Sequence, residues 1–584
     1  MYLTLCQFMD RYFPGGGLGL LASCAVVVLT RLGSSLLYRR RTMSGVREKI
    51  QVRQSKAKET FEKVKSVLQK SKVDTWIVDM PFAELQEKLQ KGQLKPSQVL
   101  LAFQAKALEV NEDLNCITEF ITDAQSRAEQ LDAVSPGEVG PLYGIPVSLK
   151  EVVGLQGNDC HAGCSFLINK MMCEDSIVVK MLKTLGAVPF CRTNVSQAQM
   201  SLSCNNPVYG ETRNPIQRHR TCGGSSGGEG ALIGGGGSVL GVGCDLGGSI
   251  RVPSHFCGTV GVKGTPKRIS GAGSCPLGQE IVTVSEVYGP LGRDVDAVLA
   301  FYSSMLSPSV CTMDPLIPPL PWRHELYTKT SPMRIGFYTH DGCVLPVPAV
   351  VRAVHLAKSV LTQLGHTVVE FNPPDVLKAL EKLLLPIVCG DKCQTLKENL
   401  SNDLVDPDLK ETISLYSSPL WLRKLYSKLS NPLHPVSKAC LNTKLPGSVA
   451  NWWKLNEELE AYSRKFVKEW QSLGLDGVIC PPFPYTAWPL DNGEKGLLGL
   501  MYTGLYNVLG YPCGVLPATV VTADDVISMK QYPNSNDGDK YIQQITVGSE
   551  GLPIGVQCVA LPYQEETLLR IMKQLETGLR EHKI

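Results

Sequence analysis

GGSSGGEGALIGGGGSVLGVGCDLGGSIRVP, residues 223–253, is the stretch on which the reading of this chain turns. About two-fifths of it is glycine, and among the glycines stand four serines, two acids and one arginine. Glycine is used where a backbone must take positive φ or approach another group closely. A run of this length implies backbone N–H groups exposed around polar side chains. We read it as a catalytic core with a serine nucleophile.

Working outward, 584 residues of which 43% are hydrophobic can bury a large core without staples. A net charge of +3, with no long basic tract beyond residue 50, gives no footprint for nucleic acid. Twenty cysteines run from Cys6 to Cys558 without framework spacing, many in apolar runs. They read as buried free thiols in a reducing compartment. Cys160 and Cys164, and Cys389 and Cys393, lack partner pairs at zinc spacing, so no metal site is expected.

Residues 13–30, FPGGGLGLLASCAVVVLT, carry no charge. As a helix they would reach about 27 Å, close to the thickness of a bilayer core. Arg31, Arg39, Arg40, Arg41, Arg47 and Lys49 follow, whereas Asp10 and Arg11 alone precede. The positive-inside rule then places everything after residue 40 in the cytosol. A cleaved signal would carry its positive charge in front. Residues 1–40 are therefore expected as a membrane anchor, with a signal or transit peptide and an interfacial segment as alternatives. In residues 41–74, Phe61, Val64, Val67 and Leu68 recur at helical spacing, which predicts a helical linker. Residues 75–584 form the main domain.

Within that domain, Ile145, Val147 and Leu149 alternate with Pro146, Ser148 and Lys150, the period of a strand. Residues 175–185 read as a helix and 186–190 as the strand after it. Residues 335–338, 349–364 and 367–371 read as strand, helix and strand. Strands are also expected over 476–480, 505–516 and 552–561, with a closing helix over 564–581. This rhythm predicts a single large α/β domain, with a mixed twisted sheet covered by helices. In residues 418–446, Leu420, Trp421, Leu425 and Leu429 share a helical face, with Arg423, Lys424 and Lys428 as cations around it. That segment suits a cap lying in a headgroup layer, or a helix packed on its own protein.

Three readings of the glycine run compete. No G-x-x-x-x-G-K-[ST] or G-x-G-x-x-G is present, which excludes the common phosphate loops. Residues 223–227 fit G-x-S-x-G, but His219-Arg220-Thr221-Cys222 is a poor strand to precede a nucleophile elbow. The third reading joins residues 223–231, residues 243–253 and the strand GIPVSLK ending at Lys150. Together these resemble the amidase signature family, from about residue 75 to the C-terminus. Residues 187–190, 193–195, 551–553 and 556–562, with the apolar first segment, resemble its members that act on fatty acid amides.

The resemblance implies a Ser-Ser-Lys triad: Ser249 as nucleophile, Ser225 as bridge and Lys150 as base. A serine hydroxyl needs an adjacent base to attack an amide. A lysine serves as base only when uncharged, and desolvation favours that form. The N–H groups of Leu246, Gly247, Gly248 and Ser249 are expected around the developing oxyanion. Ser226 is expected to orient the relay. Asp245 and Arg251 are expected to partner each other or backbone groups. Gln199 and Met200 fall where those relatives contact the acyl chain, and Gln199 departs from their pattern. The implied function is a membrane-attached serine amidase cleaving long-chain fatty acid amides, N-acylethanolamines and primary fatty amides among them. No cofactor is implied. The implied partners are a lipid amide, the bilayer and a second copy in a homodimer. The expected location is an intracellular membrane, endoplasmic reticulum or similar, with the catalytic domain facing the cytosol. The rival is a non-catalytic, membrane-associated lipid-binding protein on the same fold.

Overall fold

The computed structural model describes residues 17–584 apart from 136, 138–139, 276–280, 311, 431, 493–495 and 582–584, with side chains from residue 42 onward. Eleven strands form one mixed sheet. In chain order they are β1 (Ile117–Phe120), β2 (Pro146–Lys150), β3 (Val188–Thr193), β4 (Leu240–Asp245), β5 (Val260–Lys263) and β6 (Val287–Gly292). β7 (Arg334–Phe337), β8 (Thr367–Glu370), β9 (Gly477–Cys480), β10 (Cys513–Val520) and β11 (Pro553–Val559) complete it. The spatial order is β1-β3-β2-β4-β6-β5-β10-β11-β9-β7-β8. β2 runs parallel to both its neighbours, β3 and β4, while β4 pairs antiparallel with β6. Every residue of β2, β3, β4, β9 and β11 is buried, because helices cover both faces. The edge strands β1 and β8 have four residues each, short enough to limit pairing with another chain.

Two glycines let a helix press onto β4. A Cβ at Gly241 would stand 1.9 Å from Glu229 Oε2, and one at Gly243 would stand 2.8 Å from Ser226 Oγ. The helix Gly227–Gly234 therefore brings Ser226 and Glu229 directly onto the strand that ends at Asp245.

The apolar run at 505–516 corrects the sequence expectation. It begins inside the helix Met501–Val508 and becomes β10 only from Cys513. Every residue of that helix is buried, so its periodicity is hidden. The expected strand at 552–561 is found as β11.

A helix spans Gly17–Gln69. Residues 1–16, and the side chains of 17–41, lie outside what the structure describes, and the expected anchor falls there. Among the described residues no helix is long and apolar enough to cross a membrane. The part expected as a linker is docked on the domain. Ile50, Arg53, Ala57, Thr60 and Val64 form its buried stripe. Arg53 bonds Glu119 at 2.7 Å and Asp159 at 2.9 Å, and Thr60 Oγ1 accepts the Phe120 N–H at 3.0 Å.

Residues 418–446 fold as the helix Leu420–Leu429, a break, and the helix Pro435–Asn442. The first helix is inside out. Trp421 is 68% exposed and Leu429 75%, while Arg423 is 4% exposed. Arg423 thus does not join the outward cations. Its guanidinium turns inward to the carbonyls of Cys440 and Leu441 and lies over the Tyr416 ring. The described cysteines are free thiols, all buried except Cys173 and Cys275.

Candidate active site

Lys150 ends β2, an interior strand of the sheet, and is 0% exposed. Its Nζ lies 2.8 Å from Ser225 Oγ and 2.9 Å from Cys244 Sγ. Ser225 stands just before the helix Gly227–Gly234, and its carbonyl accepts the Ser196 N–H at 3.4 Å. Ser249 lies in the turn between β4 and the helix Arg251–Cys257. The two serine segments are tied by their backbones, since Ser226 N donates to Ser249 O at 3.1 Å. The Ser249 hydroxyl lines a cavity and has no hydrogen-bond partner among the described residues. Ser226 Oγ donates to the Cys244 carbonyl at 3.2 Å and so braces β4.

The turn at 246–250 is held by a buried ion pair. Arg251 Nε and Nη2 bond the two oxygens of Asp245 at 3.0 and 2.9 Å. Arg251 also donates to Thr503 O and to Gln557 Oε1, each at 2.9 Å, and to Asn507 Oδ1. Asp245 accepts the N–H groups of Gly248 at 2.8 Å and Ile250 at 3.1 Å. Burial pushes the Asp245 carboxyl up, but Arg251 outweighs it and the net effect is downward. Gly248 is therefore a correction to the expected oxyanion donors, because its N–H is committed to Asp245. The N–H groups of Leu246, Gly247 and Ser249 have no protein partner among the described residues. Gly248 has φ +135°, and a Cβ there would stand 2.5 Å from Thr503 Oγ1, so glycine is required on both counts.

The cavity is about 470 Å³, within the range of small-molecule sites. Met200, Leu246, Leu384, Val388, Leu415 and Val436 give it apolar walls, and Tyr426 lines it from the inside-out helix. Gln199 and Met200 both reach it. Gln199 holds φ at +59°, and its Oε1 accepts from Cys244 Sγ at 2.9 Å.

A family model described as Amidase matches residues 98–569. The chain belongs to the amidase family. It is 39% identical to "Fatty-acid amide hydrolase 1" of Sus scrofa over 563 residues, which are 95% of this chain and 95% of that protein. It is 36% identical to "Fatty acid amide hydrolase 1" of Caenorhabditis elegans, over 87% of this chain and 90% of that one. A solved structure of "Fatty acid amide hydrolase" superposes with a TM-score of 0.73 at 25% identity, covering 91% of this chain and 90% of that one. This amidase is an amide-hydrolysing enzyme, and its eleven-stranded mixed sheet is the α/β architecture of the family.

Several residues of the amidase site were not legible from sequence. Glu229 is buried and accepts Ser148 Oγ at 2.6 Å and Thr193 Oγ1 at 2.7 Å. Burial raises its carboxyl to about 7, against those two hydrogen bonds and Lys150. Glu151, next to the lysine, is raised to about 7 by burial, against Arg192. Its oxygens accept the N–H groups of His161 and Ala162, each at 2.8 Å. Cys244 stands in the sequence only as one residue of the 243–253 stretch. Its contact with Lys150 depends on the register of β2 against β4, which spacing in one chain does not set.

Proposed function

We propose that this amidase is a membrane-attached serine hydrolase that cleaves long-chain fatty acid amides to free acid and amine. The observation that carries the reading is the dry contact of Lys150 Nζ with Ser225 Oγ at 2.8 Å, beside an apolar cavity lined by Ser249. In the proposed reaction Ser249 Oγ attacks the amide carbon. Its proton passes to Ser225 as the Ser225 proton passes to an uncharged Lys150. The N–H groups of Leu246, Gly247 and Ser249 receive the developing oxyanion. Lys150 then returns a proton through Ser225 to the departing nitrogen, because an amide anion is a very poor leaving group. Water cleaves the acyl-enzyme through the same relay. The apolar cavity walls, and the names of the two relatives, support a long acyl chain. The outward Trp421 and Leu429 support a membrane-facing cap through which lipid enters. The uncharged residues 13–30 and the basic residues behind them support attachment to an intracellular membrane, with the domain in the cytosol. A homodimer belongs to the same reading by family resemblance.

A fluorophosphonate probe separates this reading from the lipid-binding alternative. It should label the wild type and not Ser249→Ala, and an unlabelled wild type would leave the binder. Lys150→Ala should lose about a hundredfold more turnover on an amide than on its matched ester. Equal losses would remove Lys150 from leaving-group protonation. In a panel of amides, kcat/KM for long acyl chains should exceed that for acetamide by at least about a hundredfold. Comparable values would remove the lipid assignment.

A further inference from the structure

Three side chains form a line from the cavity wall to the buried amine. Gln199 lines the cavity, its Oε1 lies 2.9 Å from Cys244 Sγ, and that sulfur lies 2.9 Å from Lys150 Nζ. An amide oxygen and a carboxylate can only accept, so the thiol proton points to Gln199 or to the neighbouring Glu286, and in either case away from Lys150. The sulfur then has lone pairs alone to offer Lys150. Burial, and next the nearby Glu286 carboxylate, push the Cys244 thiol well up, so the proton stays on sulfur.

An uncharged lysine has two N–H bonds and one lone pair, and it turns freely about its last bond. A base needs that lone pair on the Ser225 proton. We propose that Cys244 is a positioning residue for amide cleavage: it takes one N–H of Lys150, leaving the lone pair aimed at Ser225, and Gln199 fixes the thiol in that role. The inference rests on the proposed relay through Lys150. It goes further by adding two residues that act through the lysine and by joining the cavity wall to the base. Sulfur is a weak acceptor, so it orients the amine without strongly favouring its charged form. Gln199 owes its place to a backbone held at φ +59° after Ala198 at +53°. A side chain in such a position is kept by its surroundings rather than by local preference.

The test measures kcat and KM on a long-chain primary amide for the full chain carrying Cys244→Ala, Cys244→Val and Cys244→Ser. Alanine and valine remove both the donor and the acceptor, and each should lower kcat about tenfold or more while KM stays within about twofold. Serine keeps both and should restore kcat to within about threefold of wild type. Gln199→Leu should lower kcat in the wild-type background and add little on Cys244→Ala, because the two act in series. Wild-type kcat in Cys244→Ala, a serine variant as slow as alanine, or a loss confined to KM would overturn the inference. Lys150→Ala, run alongside, separates the two levels. If it keeps full amide turnover, the relay falls and this inference with it. If it is inactive while the Cys244 variants are wild-type, this inference alone falls.

Discussion

Arg251 and Asp245 bond each other and the elements packed around the site, Thr503, Asn507 and Gln557 among them. Their pair fixes the turn that carries Leu246, Gly247 and Ser249. Replacing Asp245 by Asn should leave Arg251 buried without a counter-charge, at a cost of about 3–5 kcal/mol in chemical denaturation. An unchanged midpoint would mean that the pair does not brace the fold. Glu229 predicts a pH effect of the opposite sign from a paired carboxylate. Its folded value is raised to about 7 from 4.5. Between those values the folded chain keeps a proton that the unfolded chain releases, so stability falls as pH rises through the window and levels off above it. Glu229→Gln has no such proton, so the drop in unfolding free energy from pH 4.5 to 7.5 should shrink by up to about 3 kcal/mol. Glu151 and Asp341, also raised to about 7, share the window, so the slope should lessen rather than vanish. An identical slope in the variant would show that Glu229 is not held protonated.

At the scale of elements, what could be read depended on whether a segment kept a solvent face. The helix Pro348–Gln363, β8 and the closing helix Glu565–Glu581 have one, and their patterns stand in the chain as expected. The helix Met501–Val508 has none, so its part of the apolar run 505–516 reads as strand. In the docked part of the helix Gly17–Gln69, Phe61, Val64 and Leu68 of the expected face pack on the core, and Arg53 and Thr60 lie on the buried stripe although they are polar. Distances across the sheet were beyond reach, because Lys150 and Cys244 meet through strand register. The commitment of the Gly248 N–H to Asp245 was hidden for a similar reason, since it depends on how the turn closes. Arg53 offers a test of the docked helix. Arg192 also bonds Glu119, so Arg53→Met should leave that strand in place but free the helix. Amide exchange over residues 42–69 should quicken while β2 and β4 stay protected. Exchange that quickens evenly across the sheet would mean that the helix is part of the core.

At the scale of the molecule, the proposed lipid route has two apolar contacts with a bilayer: residues 13–30 and the inside-out helix Leu420–Leu429. They are separable, because the helix belongs to the folded domain and its outward side chains support nothing beneath them. Trp421, Leu425 and Leu429 are exposed, while Arg423 and Ser427 face inward and Arg423 ties the helix to the Cys440 and Leu441 carbonyls. Replacing Trp421, Leu425 and Leu429 together by Ser should therefore leave the melting temperature within about 2 °C. Burying three such side chains in lipid is worth several kcal/mol, so the variant should bind phospholipid vesicles at least about tenfold more weakly in a chain lacking residues 1–40. In the full chain the loss should be smaller, since the first segment still attaches. Turnover of a vesicle-borne amide should drop in both backgrounds, whereas turnover of a short soluble amide should hold. If the truncated chain does not bind vesicles even with the helix intact, lipid does not enter there. The exposed face would then belong to a protein contact.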